Sequence, residues 1–328
     1  MSTPLPEPLP RVNPLVSVVI PCRNAAPWVE QTIASVLLQT HRPLEIIAVD
    51  DQSTDATPSL LQRHAESGPG LFRLVRGEGR GAAAARNRGF AVSRGAYVKF
   101  LDADDLLSPD TVAAQVSALA TRPRHVAHSA WARFRDSPDE ARFVPRAGWH
   151  DSAEPLDWIC ETWEDTEPMY QCGMFLLPRP LLEQAGPWDE RLTLIDDFEF
   201  FTRVILNSAG IVHTPQARLF YRSSLPDSLS GQRSRRAWES AVLSTRLATG
   251  HVLQRENSPR TRRLAANMFQ QLVHSLHPAH PDLVGSLLEE VAQLGGADVL
   301  PGGGRGFRLL ARLAGWRAAF AARRLLRR

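Results

Sequence analysis

The stretch that decides the fold is VSVVIPCRN, residues 16–24. Its first five residues (VSVVI) form the short β-branched run typical of a strand buried inside a parallel sheet. Similar runs follow at EIIAV (45–49), at Phe72–Val75 and at YVKFL (97–101). Helical patterns separate these runs: an apolar face of Val29, Ile33, Val36 and Leu37, a stretch opened by Thr54-Asp55-Ala56-Thr57, and Ala82–Ser93. The alternation predicts an α/β fold of βαβ units with a mostly parallel sheet flanked by helices.

Polar residues directly follow three of these strands. They are Pro21-Cys22-Arg23-Asn24, Asp50-Asp51-Gln52-Ser53 and Asp102-Ala103-Asp104-Asp105. Ligands of such sheets bind beyond the carboxyl ends of the strands, so the two acidic clusters should meet at one rim. Crowded carboxylates repel one another unless a positive charge lies between them. The pattern therefore predicts Mg²⁺ or Mn²⁺, held by carboxylates together with a phosphorylated ligand.

Simpler explanations exist for some residues of these loops. Asn24 is expected to cap the first helix, and Asp55 and Asp110 could act only as helix caps. No GxxxxGK[ST] or GxGxxG motif is present, which removes the usual support for an ATPase, a kinase or a dehydrogenase. Gly77–Gly81 is predicted to be a flexible loop.

Composition and charge exclude other classes. With 328 residues, 43% of them hydrophobic and 22% charged, the chain is an ordinary globular protein of one or two domains. Three scattered cysteines indicate a reducing cytoplasm rather than a disulfide scaffold. Residues 299–328 hold eight arginines and no acid, which leaves 30 basic and 35 acidic residues elsewhere. The part of the chain before residue 299 is thus slightly acidic and lacks the basic face of a nucleic-acid binder. No nucleic-acid partner is therefore expected.

Four segments in order carry a resemblance to a known family. They are VSVVIPCRNAAPWVEQTIASVLLQT, IIAVDDQSTDAT, RGAAAARNRGFAVSRGAYVKFLDADD and GMFLLPRPLLEQAGPWDERLTLIDDFEFFTRV. Together they cover roughly residues 14–235, and the chain resembles family 2 glycosyltransferases with a GT-A fold, which is Rossmann-like. The resemblance implies a nucleotide-diphosphate sugar as donor and a divalent cation, Mn²⁺ or Mg²⁺, as cofactor.

The resemblance also implies donor-side roles for particular residues. Asp51 would accept a hydrogen bond from the base of the nucleotide, and Asp104 would be the main metal ligand with Asp105 beside it. Arg86 and Asn87 would lie near the diphosphate or stabilise the loop. The full donor-binding set is Pro21, Arg23, Asp50, Asp51, Arg86, Asn87, Asp102 and Asp104.

The acceptor side is implied by the last of the four segments. Asp197 matches the catalytic base of the family, with Asp196, Arg203 and Trp188 around it. A base on the face opposite the leaving group gives inversion at the sugar carbon. The alternative is that Asp196, Asp197 and Glu199 only form a negatively charged helix N-terminus, which the helix dipole favours.

The chain also departs from the family. Tyr221-Arg222-Ser223-Ser224 resembles a Y-R-x-H stretch without its histidine, which leaves the third metal ligand open, although His213 lies nearby in the sequence. The Q-x-x-R-W box of processive synthases is not met by Gln232–Arg236. Transfer of a single sugar to a glycan, a lipid-linked or a small-molecule acceptor is therefore predicted. The alternatives are an inactive sugar-nucleotide-binding module and a metal-dependent nucleotidyltransferase.

The chain divides into four predicted segments. They are a disordered leader (1–13), a GT-A domain (14–235, with a nucleotide-sugar half 14–106 and an acceptor half 107–235), a helical extension (236–300) and an Arg-rich tail (301–328). In the tail, an apolar stripe of Leu309, Leu313, Trp316 and Phe320 predicts an amphipathic helix. Three interpretations stay open: contact of 305–328 with the inner face of a membrane, docking on the body, or a solvated tail.

Overall fold

The strands predicted from the sequence are present, and four more follow them. The computed structural model describes residues 13–223, 231 and 233–325, so the predicted leader, apart from Asn13, lies outside the described residues. The strands are β1 (Val16–Cys22), β2 (Leu44–Asp50), β3 (Phe72–Arg76), β4 (Tyr97–Phe100), β5 (Leu106–Leu107), β6 (Val126–Phe134), β7 (Phe175–Pro178) and β8 (Ile211–Arg222).

Helices cover the sheet and form the C-terminal part of the described chain. The α-helices are α1 (Val29–Leu37), α2 (Thr57–Ser67), α3 (Ala82–Val92), α4 (Thr111–Leu119), α5 (Pro155–Trp163), α6 (Arg179–Ala185), α7 (Asp196–Asn207), α8 (Arg235–Arg255), α9 (Pro259–Leu276), α10 (Pro281–Gln293), α11 (Arg305–Ala314) and α12 (Trp316–Leu325). Two short 3₁₀ turns lie at Pro138–Glu140 and Cys172–Met174.

The eight strands form one sheet in the order β3-β2-β1-β4-β7-β6-β8-β5. The four N-terminal strands are parallel, as predicted. The other half is mixed, because β7 pairs antiparallel with both β4 and β6, β8 pairs parallel with β6, and β5 pairs antiparallel with β8. The parallel prediction thus holds only where strands and helices alternate along the chain, since each right-handed crossover returns the next strand in the same direction.

The turn after β1 differs from the sequence prediction. Asn24 adopts a left-handed backbone with φ of 50°, and α1 begins only at Val29. Instead of capping α1, the Asn24 side chain accepts a hydrogen bond from the Thr54 N–H at 2.8 Å. Asp55 accepts the Thr57 N–H at 2.9 Å and the Ala26 N–H at 3.1 Å, so it joins the start of α2 to the segment that follows β1.

The Arg-rich tail folds as a pair of helices rather than as one. Gly315, with φ of 83°, separates α11 from α12. The rings of Trp316 and Phe320 pack on His274 of α9, while Leu309 and Leu313 stay exposed. The predicted apolar stripe is therefore divided between a docked half and an outward half. In the described part of the chain, no helix combines the length and apolar character needed to cross a bilayer.

Candidate functional site

The two predicted acidic clusters lie on one rim of the sheet. β2, β1 and β4 are adjacent and parallel, so the segments that follow them leave at the same edge. The buried Cys22 thiol lies between the clusters, and its pKa is raised by burial first and then by the negative charges of Asp50 and Asp102. The convergence predicted from separate stretches of sequence is therefore present.

Asp51 is buried and holds the glycine loop that follows β3. Its Oδ1 accepts the Gly79 N–H at 2.8 Å, and its Oδ2 accepts the Gly81 N–H at 2.8 Å. A Cβ atom on Gly77 would lie 2.6 Å from Asp51 Oδ1, so the loop can wrap this closely only with glycine there. The loop predicted to be flexible is instead fastened to Asp51. Each carboxylate oxygen can accept a second hydrogen bond, which leaves Asp51 able to contact a ligand.

Three further donor-side residues surround Asp51. Pro21 is a partly buried residue of β1, paired with Val49 of β2. The exposed guanidinium of Arg23 lies 4.0 Å from Asp51 Oδ2. Asp50 Oδ1 accepts the N–H of Ser53 at 3.3 Å, which shapes the turn after β2. An anionic ligand at this rim would meet Arg23 on the solvent side.

Arg86 of α3 joins the donor-side loop to the acceptor-side helix. Its Nη1 donates to Asp196 Oδ2 at 2.7 Å, and its Nη2 donates to Asp102 Oδ1 at 2.8 Å. Burial opposes its charge, but Asp196 and Asp102 outweigh that effect and raise the pKa of Arg86. This single guanidinium sets the spacing between the two halves of the site. The family resemblance implied that Arg86 lies near the diphosphate or stabilises the loop, but it did not predict this bridge.

Asn87 and Trp188 form a second contact between α3 and the turn before α7. The Asn87 amide donates to the Trp188 carbonyl at 2.9 Å and accepts the Trp188 N–H at 2.8 Å. Trp188 is 2% exposed, stacks on Phe200 at 3.8 Å between ring centroids and lies 4.4 Å from the Arg86 guanidinium. Trp188 therefore does not present its ring to an acceptor in this structure. It forms the apolar floor on which Arg86 is oriented.

The loop after β4 concentrates negative charge. Burial, followed by the charge of Asp102, raises the pKa of Asp104 to about 7. Asp105 is wholly buried, and burial, followed by the charges of Asp104 and Asp102, raises its pKa well above the usual range of an aspartate. Its Oδ1 accepts the Arg222 N–H at 2.8 Å, whereas its Oδ2 is buried without a hydrogen-bond partner in the described part of the chain.

Arg222, at the end of β8, anchors this loop and was not predicted as a site residue. Its Nε donates to the Asp104 carbonyl at 3.0 Å and its Nη2 to Gln31 Oε1 at 2.6 Å. The guanidinium lies between the rings of Trp28 and Phe134, at 4.6 and 4.4 Å. The signal was present in the Tyr-Arg pair of the family-like stretch at 221–224, but its contacts depend on three distant segments. Ser224 itself lies outside the described residues.

The donor set of this loop fits a hard divalent cation. The backbone N–H of Asp104 lowers the pKa of its carboxyl only in part, and the next residue in the chain carries the Asp105 Oδ2, which is buried without a hydrogen-bond partner among the described residues. Within the described residues, no group of three or more His, Cys, Asp or Glu side chains could hold a metal. Mg²⁺ and Mn²⁺ sites with one or two carboxylates use phosphate oxygens for the remaining ligands. The residues therefore fit a cation that is shared with a diphosphate.

Asp197 lies in the first turn of α7 behind a strained residue. Ile195, with φ of 50°, is in the left-handed region where branched side chains are rare. Burial and then Asp196 raise the pKa of Asp197 to about 7, while Arg86 opposes the rise. A helix N-terminus alone would lower the pKa of a carboxylate, so the helix dipole does not account for this acid. A carboxylate titrating near neutrality is suited to general-base catalysis.

Arg203, predicted on the acceptor side, is a packing anchor. It donates to both Glu199 carboxylate oxygens, at 2.6 and 3.0 Å, and to the carbonyls of Gly186 and Pro187, at 3.1 and 2.9 Å. His251 of α8 approaches the same Glu199 at 3.1 Å. Arg203 thus holds the turn before Trp188 against α7 and acts on the site through that turn.

His213, which lies near the family-like stretch in sequence, is at the other end of β8. β8 begins at Ile211, whereas Phe220 pairs with Leu106 next to the acidic loop. The His213 ring instead stacks on Trp149 and contacts His128, at centroid distances of 5.8 and 4.7 Å. His213 therefore does not supply the missing metal ligand, because the strand carries it away from the rim.

The strained entry to α7 is held by the helical extension. Ser244 of α8 donates its hydroxyl to the Ile195 carbonyl at 2.6 Å, and the Ser240 hydroxyl accepts the N–H groups of Thr193 and Leu194 at 2.7 and 3.0 Å. These bonds cross from a C-terminal helix to the loop that orients Asp197.

We expect Ser244→Ala to lower kcat about three- to tenfold, because loss of this bond frees the carbonyl of a strained residue beside Asp197. The free energy of unfolding should fall by about 1 kcal/mol. Ser275→Ala is the matched control, since Ser275 donates to the Gln271 carbonyl at 3.1 Å on an exposed part of α9. Steady-state kinetics and urea unfolding measure both quantities, and equal effects of the two variants would contradict the positioning role.

The family known as Glycosyl transferase family 2 matches residues 17–186. The putative teichuronic acid biosynthesis glycosyltransferase TuaG of Bacillus subtilis is 40% identical over 110 residues, which are 34% of this chain and 44% of TuaG. The uncharacterized glycosyltransferase EpsJ of Bacillus subtilis is 36% identical over 221 residues, 66% of this chain and 63% of EpsJ. The chain thus spans less than two thirds of the length of either relative.

Two solved structures share the architecture. S. aureus TarS 1-349 in complex with UDP-GlcNAc has a TM-score of 0.68 at 17% identity, covering 94% of this chain and 91% of the other. The mannosyltransferase PcManGT of Pyrobaculum calidifontis, in complex with GDP-Man and Mn²⁺, has a TM-score of 0.54 at 22% identity, covering 95% and 81%. These similarities confirm the predicted GT-A fold with its helical C-terminal region. Because the family match extends from β1 through the turn before Trp188 and covers more than half of the chain, the protein belongs to glycosyl transferase family 2.

Proposed function

We propose that the protein is an inverting, metal-dependent glycosyltransferase that moves one sugar from a nucleotide-diphosphate sugar to an acceptor hydroxyl. The observation that carries this proposal is the bridge from Asp102 through Arg86 to Asp196. It connects a loop suited to a diphosphate and a cation with the helix turn that bears Asp197. Displacement at a sugar carbon needs these two elements on opposite sides of one substrate.

The donor is proposed to bind along the rim formed by β1, β2 and β4. Asp51 would accept from the nucleotide base, and Pro21, Arg23 and Asp50 line the same turn. Arg86 and Asn87 would lie near the diphosphate or stabilise the loop, while Asp102 would bind the ribose, a water or the metal, and Asp104 would bind the metal. The complexes of TarS with UDP-GlcNAc and of PcManGT with GDP-Man support a nucleotide sugar as the ligand class.

Asp104, with Asp105 beside it, would hold Mn²⁺ or Mg²⁺ together with the diphosphate. When bound, such a cation neutralises the charge that develops on the leaving diphosphate. Arg222 fixes the backbone of the loop, so that the Asp104 carboxylate keeps its position as the charge around it changes. The mannosyltransferase structure with Mn²⁺ supports this choice of metal.

Asp197 is proposed to accept the proton of the acceptor hydroxyl as the oxygen attacks the sugar carbon. A single base attacking from the face opposite the leaving group inverts the configuration at that carbon. Asp196 and Arg86 position the first turn of α7, which carries Asp197. Trp188 and Arg203 support this pair by packing. These acceptor-side residues act by positioning and not by touching the acceptor.

The acceptor half is proposed to lie in 107–235, with the extension 236–300 supporting α7 from outside. The names of the relatives, which include a succinoglycan biosynthesis protein 28% identical over 217 residues, support an acceptor of the polysaccharide-building kind, either a glycan or a lipid-linked sugar. All three cysteines are free and buried, which supports the expected cytoplasmic setting.

The experiment that tests the function is a panel of UDP- and GDP-sugars assayed with Mn²⁺ or with EDTA. A donor at about 100 times its Kd should stabilise the folded protein by about 2.7 kcal/mol, which raises Tm by several degrees. Release of the nucleoside diphosphate, followed by chromatography, should require Mn²⁺. If donors bind but neither hydrolysis nor transfer occurs, the protein is a binding module. Consumption of added pyrophosphate, with formation of a nucleoside triphosphate and a sugar 1-phosphate, would instead indicate a nucleotidyltransferase.

The pH dependence of turnover follows from the raised pKa of Asp197. The carboxylate must be ionised to act as a base, so kcat/KM for the acceptor should fall below about pH 7 by tenfold per pH unit. The profile is measured at saturating donor and at two Mn²⁺ concentrations. An acid limb that moves with the Mn²⁺ concentration would assign the titration to the metal loop and not to Asp197.

A further inference from the structure

The C-terminal helix pair exposes large apolar side chains to an unusual degree. Leu309 and Leu313 of α11 are 57% and 77% exposed, and Leu325 of α12 is 73% exposed. Of the large hydrophobic side chains that the described residues leave exposed, only Leu38 and Val144 lie elsewhere. Leu309 and Leu313 are one turn apart, so they form a continuous ridge. We call this ridge, together with Leu325 and the arginines of α11, the leucine–arginine surface.

The outward direction of the leucines is set by packing on the opposite side. Trp316 packs on His274 of α9 and on His277, which directly follows that helix, with ring centroids 5.6 and 5.2 Å apart. Ala311 of α11 and Ala319 of α12 are buried as well. The helix pair is therefore docked on the extension, and its leucine ridge is left uncovered by the described part of the chain.

Positive charge flanks the same ridge. Arg305, Arg308 and Arg312 share one face of α11, and Arg305 and Arg312 are helical neighbours of Leu309. No acid follows Asp298 in the sequence. Within the described residues, none of these three arginines forms an ion pair with an acid. The surface therefore combines insertable side chains with uncompensated positive charge.

We propose that the leucine–arginine surface docks the protein on a bilayer that carries anionic lipids. Leucines entering the headgroup boundary and arginines contacting the lipid phosphates supply the two contributions that stable peripheral binding requires. A second copy of the chain is a poor occupant, because a symmetric contact would bring the two sets of arginines together. This binding is independent of the donor site and does not rest on the proposed transfer activity.

The test is vesicle sedimentation of the full chain without donor or acceptor. Vesicles of phosphatidylcholine alone are compared with vesicles containing about one third phosphatidylglycerol. The variants are L309S/L313S and R305Q/R308Q/R312Q. The matched control is L38S/V144S, which removes two exposed apolar side chains away from the surface. Circular dichroism and gel filtration confirm that each variant is folded and report its oligomeric state.

The wild type and the control should bind anionic vesicles, more weakly as salt is added, and should bind neutral vesicles poorly. The leucine variant and the arginine variant should each reduce partitioning about tenfold or more. The proposal is overturned if the wild type does not sediment with anionic vesicles, or if the leucine variant binds them like the control. A change from dimer to monomer in the leucine variant without loss of vesicle binding would assign the ridge to a second copy.

Discussion

Asp197→Asn lowers kcat by about 10²–10⁴-fold while the Kd of the donor stays nearly unchanged, if Asp197 is the base. The amide keeps the size of the side chain but cannot accept the acceptor proton. Burial and Asp196 raise the pKa of the Asp197 carboxyl to about 7, which means that the ionised carboxylate destabilises the folded protein. Measured without metal, the Asp197→Asn variant should therefore be at least as stable as the wild type. A loss of turnover then cannot be ascribed to unfolding.

Two comparisons make this result specific. Asp196→Asn leaves Asp197 in place but weakens the hydrogen bond between residue 196 and Arg86. This variant should alter the pH profile and the KM values rather than abolish turnover. Asp165→Asn changes an exposed acid outside the site and should have no effect. Turnover is measured by release of nucleoside diphosphate with acceptor present, and donor binding by calorimetry. Turnover of Asp197→Asn within tenfold of the wild type would move the role of base to another residue.

Asp104→Asn is expected to change stability and activity in opposite directions. The pKa of Asp104 is raised to about 7 by burial and then by Asp102, so the folded state binds more protons than the unfolded chain between about pH 4 and 7. The free energy of unfolding thus falls as the pH rises through that window. At pH 8 the Asp104 carboxylate is ionised and its full destabilising effect is present. Without metal, the Asp104→Asn variant should have a higher Tm than the wild type, and its free energy of unfolding should be larger by about 1–3 kcal/mol.

With metal and donor present, the order should reverse. Mn²⁺ and a nucleotide sugar should raise the Tm of the wild type but hardly that of Asp104→Asn, and turnover of the variant should fall about 10³-fold. The Asp165→Asn protein serves again as the control. Calorimetric scans with EDTA, with Mn²⁺ and with Mn²⁺ plus donor measure the three states. If the variant kept Mn²⁺-dependent turnover within fivefold of the wild type, Asp104 would not be the metal ligand.

The sequence predicted the acidic rim of the sheet because the elements that form it are local. β-branched runs and the acids directly after them lie within a few residues of one another, and parallel pairing then brings their carboxyl ends to one edge. Asp50, Asp51, Asp102 and Asp104 could be found this way. The wrap of Gly77–Gly81 around Asp51 was missed, because a glycine-rich segment looks the same whether or not a carboxylate binds its N–H groups.

Other features of the site and of the tail depend on contacts between distant segments. Trp188 looked like an acceptor-site residue because it precedes the helix of Asp197, but it is buried under Arg86 and against Phe200. Arg222 had no assigned role until β8 brought it to the loop of Asp104. The apolar stripe of the tail was read as one helix, although the break at Gly315 turns its two halves in different directions.

By itself the amino-acid sequence determined the α/β class, the family and the residues that form the acidic rim, because strand periodicity and residue type act over short distances. The tertiary structure alone decided which acids are paired. Arg86 joins Asp102 to Asp196, and Arg86 and Asp196 are 110 positions apart in the sequence. It also decided where carboxylates become costly to ionise. Burial and neighbouring charges are properties of the folded chain, and they leave Asp104 and Asp197 titrating near neutrality.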